Sequence, residues 1–333
     1  MSFKRLDLED ITISAESITA PAWSGQQNTL TEFYLNSGQL SQDSAKYYYN
    51  VYQTSSTATG AEVQFAIGYG NLLGSGSQPI SPSVPNVTPS SVVYGQYRTL
   101  VNGDENSDFI FGTVTPKSIY VISVNRARFK EKLLPGSFNL TLISGSKTLH
   151  LTDNSVTSNT VSYVDSGRVY DIVSGSNGTP YNSTGFSPNS GSYGKFLPDV
   201  GVIVLNGDAL KDPVNGINLY IDESYNTATN NINSLYNAIH TGSYFSLKSE
   251  ETVTSNYIFV RVRNSEFNYS TNPSNISSSG DLLHNVMVNS PQAYMTTVGL
   301  YNDNNDLLAV AKLSRPLLKD FTKEALLTIK LDY

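Results

Sequence analysis

The chain has 333 residues, and its 21 Lys and Arg against 28 Asp and Glu give a net charge of −7 at pH 7. It contains no Cys, so a disulfide framework and a thiolate metal site are both excluded. The acidic balance argues against a general binder of nucleic acid, because such proteins carry a basic excess. Charged residues make up only 15% of the chain, and neutral Ser, Thr, Asn and Tyr supply much of its polarity. This composition is typical of a β-rich protein with long loops.

No membrane segment or leader is visible in the sequence. It has no run of 18 or more apolar residues, which argues against a transmembrane helix. Its first residues lack the apolar stretch of a secretory signal. We therefore expect a protein that is made and kept in a cytoplasm, and the absence of Cys agrees with a reducing compartment.

Residues 1–43 carry scattered apolar side chains without a sustained period. They are equally well interpreted as an extended arm or as a first strand of the main sheet, and we carry the arm forward. Within this segment Trp23 follows Pro21 and precedes Ser24 and Gly25. Its large amphipathic side chain either inserts into a partner or anchors the arm on its own domain. We keep Trp23 as an interface candidate.

Alternation of apolar and polar side chains predicts strands along most of the remaining chain. The predicted strands cover residues 47–52, 62–67, 119–124, 217–221, 257–263, 294–300, 307–313 and 327–331, and the short, fully apolar run 201–205 is a further strand candidate. Two β-hairpins are predicted as well, one over 138–152 with a turn at Gly145 and one over 160–173 with a turn at 165–167. Stretches rich in Ser, Gly, Asn and Pro predict long loops at 74–89, 174–194 and 264–281.

The best helix signal lies at 229–240. Its apolar side chains share one helical face: Ile232, Leu235, Tyr236 and Ile239. Thr229 is the expected N-cap, and Gly242 lies just past the expected end. One or two further helical turns are expected at 320–327.

Together these elements predict a mainly β protein. We expect antiparallel sheets in a sandwich-like body, with long polar loops and one or two short helices. The predicted organisation is an arm at 1–43, a body at 44–250 and a C-terminal β-region at 251–333 that belongs either to the same body or to a separate one.

A search for catalytic chemistry nominates no site. The chain has three His, and no nucleophile elbow, zinc-protease motif or P-loop accompanies them. The acidic clusters at 104–108 and 302–306 lack the calcium-loop Gly and Glu and are typical of turns. Glu250 and Glu251 are adjacent, so on a strand they point to opposite faces. We expect no catalytic residue, no cofactor and no metal site, and hence a protein that is not an enzyme.

Two basic tracts stand out in this acidic chain. The first, residues 126–132, supplies the interface candidates Arg126, Arg128, Phe129 and Lys130. The second is looser and accompanies the C-terminal strands: Lys312, Arg315, Lys319, Lys323 and Lys330. Each tract is either a docking site for an acidic neighbour or a solvated charged surface that keeps a strand edge soluble, and the second interpretation is the simpler one.

Several segments resemble one family when they are taken together. They are residues 2–9, 48–53, 61–76, 94–97, 103–106, 298–314 and 321–326. These segments are similar to virion structural proteins of large contractile-tailed bacteriophages, the T-even-like myoviruses, especially those that infect cyanobacteria. Within that group the similarity is to tail or baseplate components, most nearly the baseplate wedge.

The resemblance implies a structural assembly protein that acts through protein–protein contacts. It implies location in the virion after assembly in the host bacterial cytoplasm, with other virion structural proteins as partners. It also implies a homo-oligomer or several copies in a symmetric assembly, with no nucleic-acid partner and no membrane span. If arm exchange drives assembly, residues 1–43 cross to a neighbouring protein.

Two other function classes stay open. A receptor- or glycan-binding module associated with tail fibres would present its Tyr- and Asn-rich loops at 174–194 and 264–281. A wall or polysaccharide hydrolase is the third reading, and the scarcity of His and the lack of facing acids speak against it.

Overall fold

A computed structural model describes residues 3–36, 47–74, 76, 90–181, 192–222, 228–270 and 272–332. Two compact units are present. The first comprises Met1–Ser17 and Thr252–Tyr333, and the second comprises Ile18–Glu251. We call them the terminal unit and the central unit. The described residues form strands far more than helices, and every strand pair with a recorded register is antiparallel.

The strands, in chain order, are β1 Ile11–Pro21, β2 Thr29–Leu30, β3 Tyr34–Leu35, β4 Tyr48–Tyr52, β5 Val63–Asn71, β6 Ser118–Val124, β7 Lys132–Leu133, β8 Asn139–Ser144, β9 Lys147–Asp153, β10 Ser162–Val164, β11 Gly167–Ser176, β12 Thr179–Pro180, β13 Gly194–Leu197, β14 Val202–Asn206, β15 Phe245–Ser246, β16 Lys248–Val262, β17 Ala293–Tyr301, β18 Leu307–Lys319 and β19 Ala325–Asp332. The α-helices are α1 Ser90–Asn102, α2 Gly207–Lys211, α3 Ala228–Gly242 and α4 Asn285–Asn289. Among the described residues no helix is both long enough and apolar enough to span a membrane.

One large sheet organises the central unit. Its strands follow the order β2-β15-β8-β9-β11-β13-β14-β6-β5-β4-β3, with β10 and β12 paired beside β11. The two end strands, β2 and β3, are separated by only residues 31–33, which span at most about 14 Å. Eleven strands laid flat would extend over roughly 48 Å. The sheet must therefore curl until its two ends approach each other.

Helix α3 fills the inside of this curl. It packs against both β8 and β5, which lie far apart in the strand order. Ile232, Leu235 and Ile239 are fully buried within an inner core of aromatic and aliphatic side chains. The Tyr236 hydroxyl donates a hydrogen bond of 2.8 Å to the Phe33 carbonyl, in the short link between β2 and β3. The predicted amphipathic helix is thus confirmed and closes the gap between the sheet ends. Its predicted limits are wrong, because α3 begins at Ala228, which places Thr229 inside the helix, and it includes Gly242.

A second layer covers the outside of the sheet at its centre. Helix α1 packs against β5. It buries Val93, Tyr94, Tyr97 and Val101 in a second core to which the outer side chains of β6 and β14 also belong. Strands β6 and β14 are consequently buried on both faces, which explains why residues 202–205 are all apolar. Helix α1 was not predicted from the sequence, although its buried side chains follow a helical spacing.

The terminal unit contains two smaller sheets. One has the order β1-β16-β19, and the other is the antiparallel pair β17–β18. Burial alternates along the β16–β19 pair: Ile258 opposite Ile329 is buried, whereas Arg261 opposite Leu326 is exposed. This period of two is the pattern from which both strands were predicted.

The mainly β, antiparallel fold class is confirmed, as are both predicted hairpins and their turns at Gly145 and Gly167, where φ is positive. Two element predictions are wrong. Residues 217–221 alternate in burial, but their backbone N–H groups at Ile217 and Leu219 bond to the Leu210 carbonyl and form no strand ladder. Residues 320–327 form a turn that leads into β19 and no helix.

Residues assigned to the N-terminal arm enter the central unit in part. Ala22, Trp23, Leu30 and Phe33 belong to its inner core, and β2 and β3 are the two end strands of its sheet. Residues 37–43 lie outside the described residues, as do most of the predicted loop at 74–89 and residues 182–191 of the loop at 174–194.

Candidate interaction surface

The acidic clusters of the sequence serve as turns. The Asp104 carboxylate accepts hydrogen bonds from the Asn106 N–H at 3.0 Å and from the Ser107 hydroxyl, and these bonds lower its pKa below the ordinary value. In the second cluster the Asn302 side chain accepts from the N–H groups of Asn304 and Asp306. Within the described parts of the chain, no three His, Asp or Glu side chains are placed to hold a metal ion.

The basic segment 126–132 begins in a single 3₁₀ turn. The Asn125 side chain caps this turn by accepting a 2.9 Å hydrogen bond from the Ala127 N–H. The Arg126 guanidinium lies 4.5 Å from the centre of the Phe129 ring and donates to the Phe129 carbonyl at 2.9 Å. Phe129 itself is only 5% exposed, so its ring supports Arg126 and offers little surface to a partner.

Neighbouring acids neutralise most of the charge in this segment. Arg128 pairs with Glu62 at 2.7 Å and Lys130 with Glu251 at 2.8 Å. Lys132 lies 3.6 Å from Glu131. Arg126 lines an open cavity of about 330 Å³ together with Phe129 and Val200. The structure thus brings the four candidates of this segment together, but it leaves a weaker positive field than the sequence indicates.

Trp23, the remaining candidate, lies in the core of the central unit and is 2% exposed. Its indole N–H donates a 2.9 Å hydrogen bond to the Phe245 carbonyl, and its ring meets the Phe245 ring edge-on at 4.9 Å. Trp23 therefore anchors its segment in the core of its own unit and does not insert into a partner. A buried tryptophan with a satisfied N–H stabilises the fold and presents no contact surface.

Several exposed apolar side chains lie together on the pair β17–β18, which we call the C-terminal ribbon. Its exposed apolar side chains are Tyr294, Tyr301, Leu307, Leu308, Val310 and Leu317. Two of them, Leu308 and Tyr294, are more than 60% exposed. On this ribbon Val298 and Leu300 share a half-buried face with Ala309 and Ala311, while Val310 lies on the opposite, open face.

Such a surface is unusual for an isolated soluble unit. A two-stranded ribbon is only marginally stable by itself in water, and clustered exposed apolar side chains mark interaction sites. The strands were predicted from their alternation, but that pattern does not reveal that one of the two faces lacks a cover. Only the packing of the terminal unit shows it.

The ribbon also carries positive charge. Lys312 and Arg315 are exposed on β18 and form no salt bridge with any described residue of the terminal unit. Lys319, at the end of the same strand, is fully buried. The free cations of the second basic tract are therefore concentrated beside the apolar patch.

Comparisons of the chain with models of known protein families, with curated protein sequences and with solved structures gave no match. The C-terminal ribbon and the Arg126 cavity stand as the two candidate interaction surfaces within the described residues.

Proposed function

We propose that this chain is a structural assembly protein of a contractile-tailed phage virion, a tail or baseplate component that acts through protein–protein contacts. The observation that carries the proposal is the C-terminal ribbon, whose exposed side chains include Tyr301, Leu308 and Val310. Covering such side chains releases about 25 cal/mol per Å² of apolar area, so a partner that packs there gains affinity from burial alone.

The assignment to a phage particle is supported by the resemblance described above. One of its segments, residues 298–314, makes up most of the ribbon. The proposed location is the virion, after assembly in the cytoplasm of the host bacterium, and the proposed partners are other virion structural proteins. The proposal includes no catalytic residue, cofactor or nucleic acid.

Cross-linking mass spectrometry on intact phage particles that contain the chain tests the proposal. We expect an amine-reactive reagent to join Lys312 or Lys323 to lysines of other virion proteins. Lys117 and Lys248, which are exposed on the central unit, serve as internal references for reactivity. If Lys312 on the ribbon and Lys323 just after it carry only half-reacted reagent or cross-links within their own chain, the ribbon is not an assembly surface.

A matched pair of variants separates assembly from folding. The variant Leu308→Ser/Val310→Ser removes two side chains that are 68% and 60% exposed, so the isolated chain should fold normally while incorporation into particles falls. The control Val156→Ser/Val214→Ser changes equally exposed side chains of the central unit and should assemble as the parent does. Equal incorporation of both variants would contradict the proposal. A reproducible glycan-array signal that depends on residues 264–281 would favour the receptor-binding alternative.

A further inference from the structure

Four strands of the terminal unit end a sheet and so have an edge without a partner among the described residues, namely β1, β17, β18 and β19. Strand β1 pairs only with β16, and β18 pairs only with β17. Both strands are long, and most of their side chains are exposed. An unpaired edge presents a row of N–H and C=O groups that can accept a further strand.

The two edges carry opposite charge. Residues 7–21, which comprise β1 and the 3₁₀ turn before it, have four acids and no Lys or Arg. Asp7, Glu9 and Asp10 lie in the turn, and Glu16 lies on the strand, where it is 3.6 Å from Lys330. Residues 307–319 have no Asp or Glu and three bases, of which Lys312 and Arg315 are exposed and Lys319 is fully buried. Both segments also expose aliphatic side chains, such as Ile13 on β1 and Leu308 on β18. Each edge therefore complements the other in charge and resembles it in apolar character.

Pairing of like edges is disfavoured for the same reason. Two copies of β18 joined edge to edge would bring Lys312 and Arg315 near their own equivalents, and two copies of β1 would do the same with acids. Basic residues and Pro316 on β18 also protect its edge from pairing with a second, equally basic copy of β18. Strand β1 lacks such protective residues, because it has no Lys and no Pro before Pro21.

We propose that the chain associates with itself head to tail, with the β1 edge of one copy added to the β18 edge of the next. The register between β17 and β18 shifts between Met295 and Thr297, where β18 advances from Leu317 to Lys312, so residues 313–316 bulge. The accepting ladder is then Leu307–Lys312, with Arg315 in the bulge beside it. Acidic side chains at residues 7–16 of the incoming copy lie against these two cations.

A head-to-tail contact uses two different surfaces of each copy, so it generates rings or open filaments and not a closed two-fold dimer. This inference deepens the proposed assembly role, because it assigns a second copy of the chain to the ribbon. The strand addition depends on charges that are exposed to solvent, and salt should therefore weaken it.

Sedimentation velocity on the full chain tests the inference with complementary charge reversals. The variant Lys312→Glu/Arg315→Glu makes the accepting edge acidic, and Glu9→Lys/Glu16→Lys makes the donating segment basic. Each variant alone should associate about 100-fold more weakly than the parent, because like charges then face each other. An equimolar mixture of the two should recover association, since every contact in it can pair opposite charges. The control Lys117→Glu/Lys248→Glu has the same change of net charge on the central unit and should behave as the parent does.

Circular dichroism confirms that each variant is folded before its association is measured. The inference is overturned if the parent stays at the monomer mass of 36.3 kDa up to about 100 μM, or if the mixture fails to recover association. Cross-links from the ribbon to other virion proteins without self-association would overturn head-to-tail pairing and leave the assembly role standing. Self-association without cross-links to other virion proteins would support head-to-tail pairing and contradict the proposed role in virion assembly.

Discussion

At the scale of single residues, polar side chains hold the loops of both units in place. Lys319 is fully buried, and its ammonium donates to the Asn264 carbonyl at 3.0 Å, the Asn268 side-chain oxygen at 2.6 Å and the Asp320 carbonyl at 2.9 Å. All three N–H groups are used, and every acceptor is neutral. This lysine therefore ties the segment 264–268 to the end of β18 and is not available to a partner.

The substitution Lys319→Met should destabilise the terminal unit. It leaves three acceptors without their donor, and each buried unsatisfied group costs about 1–3 kcal/mol. Urea unfolding followed by circular dichroism measures the loss. Lys323→Met, which removes an exposed ion pair with Asp320, is the control and should leave the midpoint nearly unchanged. Equal midpoints for the two variants would show that the Lys319 contacts do not stabilise the fold.

Asp199 has the corresponding role in the central unit. Its carboxylate accepts from the Arg168 guanidinium at 2.7 Å and from the Arg168 backbone N–H at 2.7 Å. Partial burial raises the pKa of Asp199, but the hydrogen bonds and the charge of Arg168 outweigh it and lower the pKa below the ordinary value. The ionised carboxylate thus stabilises the folded state.

The substitution Asp199→Asn should cost about 1–3 kcal/mol at neutral pH, the range for hydrogen bonds to charged groups. A lowered pKa contributes stability above the unfolded value near 3.9 and loses it as pH falls through the lower folded value. The difference between parent and variant should therefore shrink below about pH 4. Asp108→Asn, which alters a 3.8 Å exposed pair with Arg98, is the control. A difference that stays constant with pH would contradict this account.

At the scale of elements, the N-terminal segment divides into two parts. Residues 22–35 supply core side chains and both end strands of the large sheet. Residues 3–17 belong to the terminal unit, where Phe3 packs edge-on against Tyr301 and Lys4 pairs with Glu266 at 3.1 Å. Residues 3–17 can therefore cross to another protein only if the contacts of Phe3 and Lys4 within the terminal unit break.

Deletion of residues 1–43 should unfold the central unit, because it removes Trp23 and Phe33 from the core and opens the gap that α3 covers. Truncation of each large core side chain costs about 3–5 kcal/mol, which approaches the whole stability of a domain. Deletion of residues 1–17 is the control. It keeps the single tryptophan, whose blue-shifted fluorescence should persist. A cooperative thermal transition in the 1–43 deletion would restore the arm interpretation.

At the scale of the whole molecule, burial is uneven between the two units. Strands β6 and β14 are covered on both faces, whereas most side chains of the ribbon are exposed or half-buried. Segments with few buried contacts open at low free energy, and core strands open only with global unfolding. Assembly is then expected to stabilise the terminal unit more than the central one.

Amide hydrogen exchange tests this expectation. In the isolated chain, amides of β17 and β18 should exchange roughly a thousandfold faster than those of β6, which corresponds to about 4 kcal/mol less opening free energy. In assembled material the ribbon amides should slow while those of β6 stay as they were. Uniform protection across both units in the isolated chain would show that the ribbon is stable without a partner.

The sequence by itself determined the local elements. Alternation with a period of two located β5, β8, β9, β16 and β18, and a helical spacing located α3, because these periods follow from backbone geometry alone. The two hairpin turns at Gly145 and Gly167 were also predicted, and the structure gives both glycines a positive φ, which glycine tolerates best.

Tertiary structure alone decided what those elements do. Residues 217–221 have a strand pattern, yet the N–H groups of Ile217 and Leu219 bond to the Leu210 carbonyl and no strand forms. Strand pairing depends on which distant segment of the chain lies within hydrogen-bonding distance. The residue types of Trp23 and of the charged segment 126–130 do not show whether these side chains contact the core, an acid of the same chain or a partner. The exposure of one face of the ribbon is likewise not readable from its residue types. Burial is a property of the packed molecule. A single sequence shows the spacing of its apolar side chains but not which segment or protein packs against them.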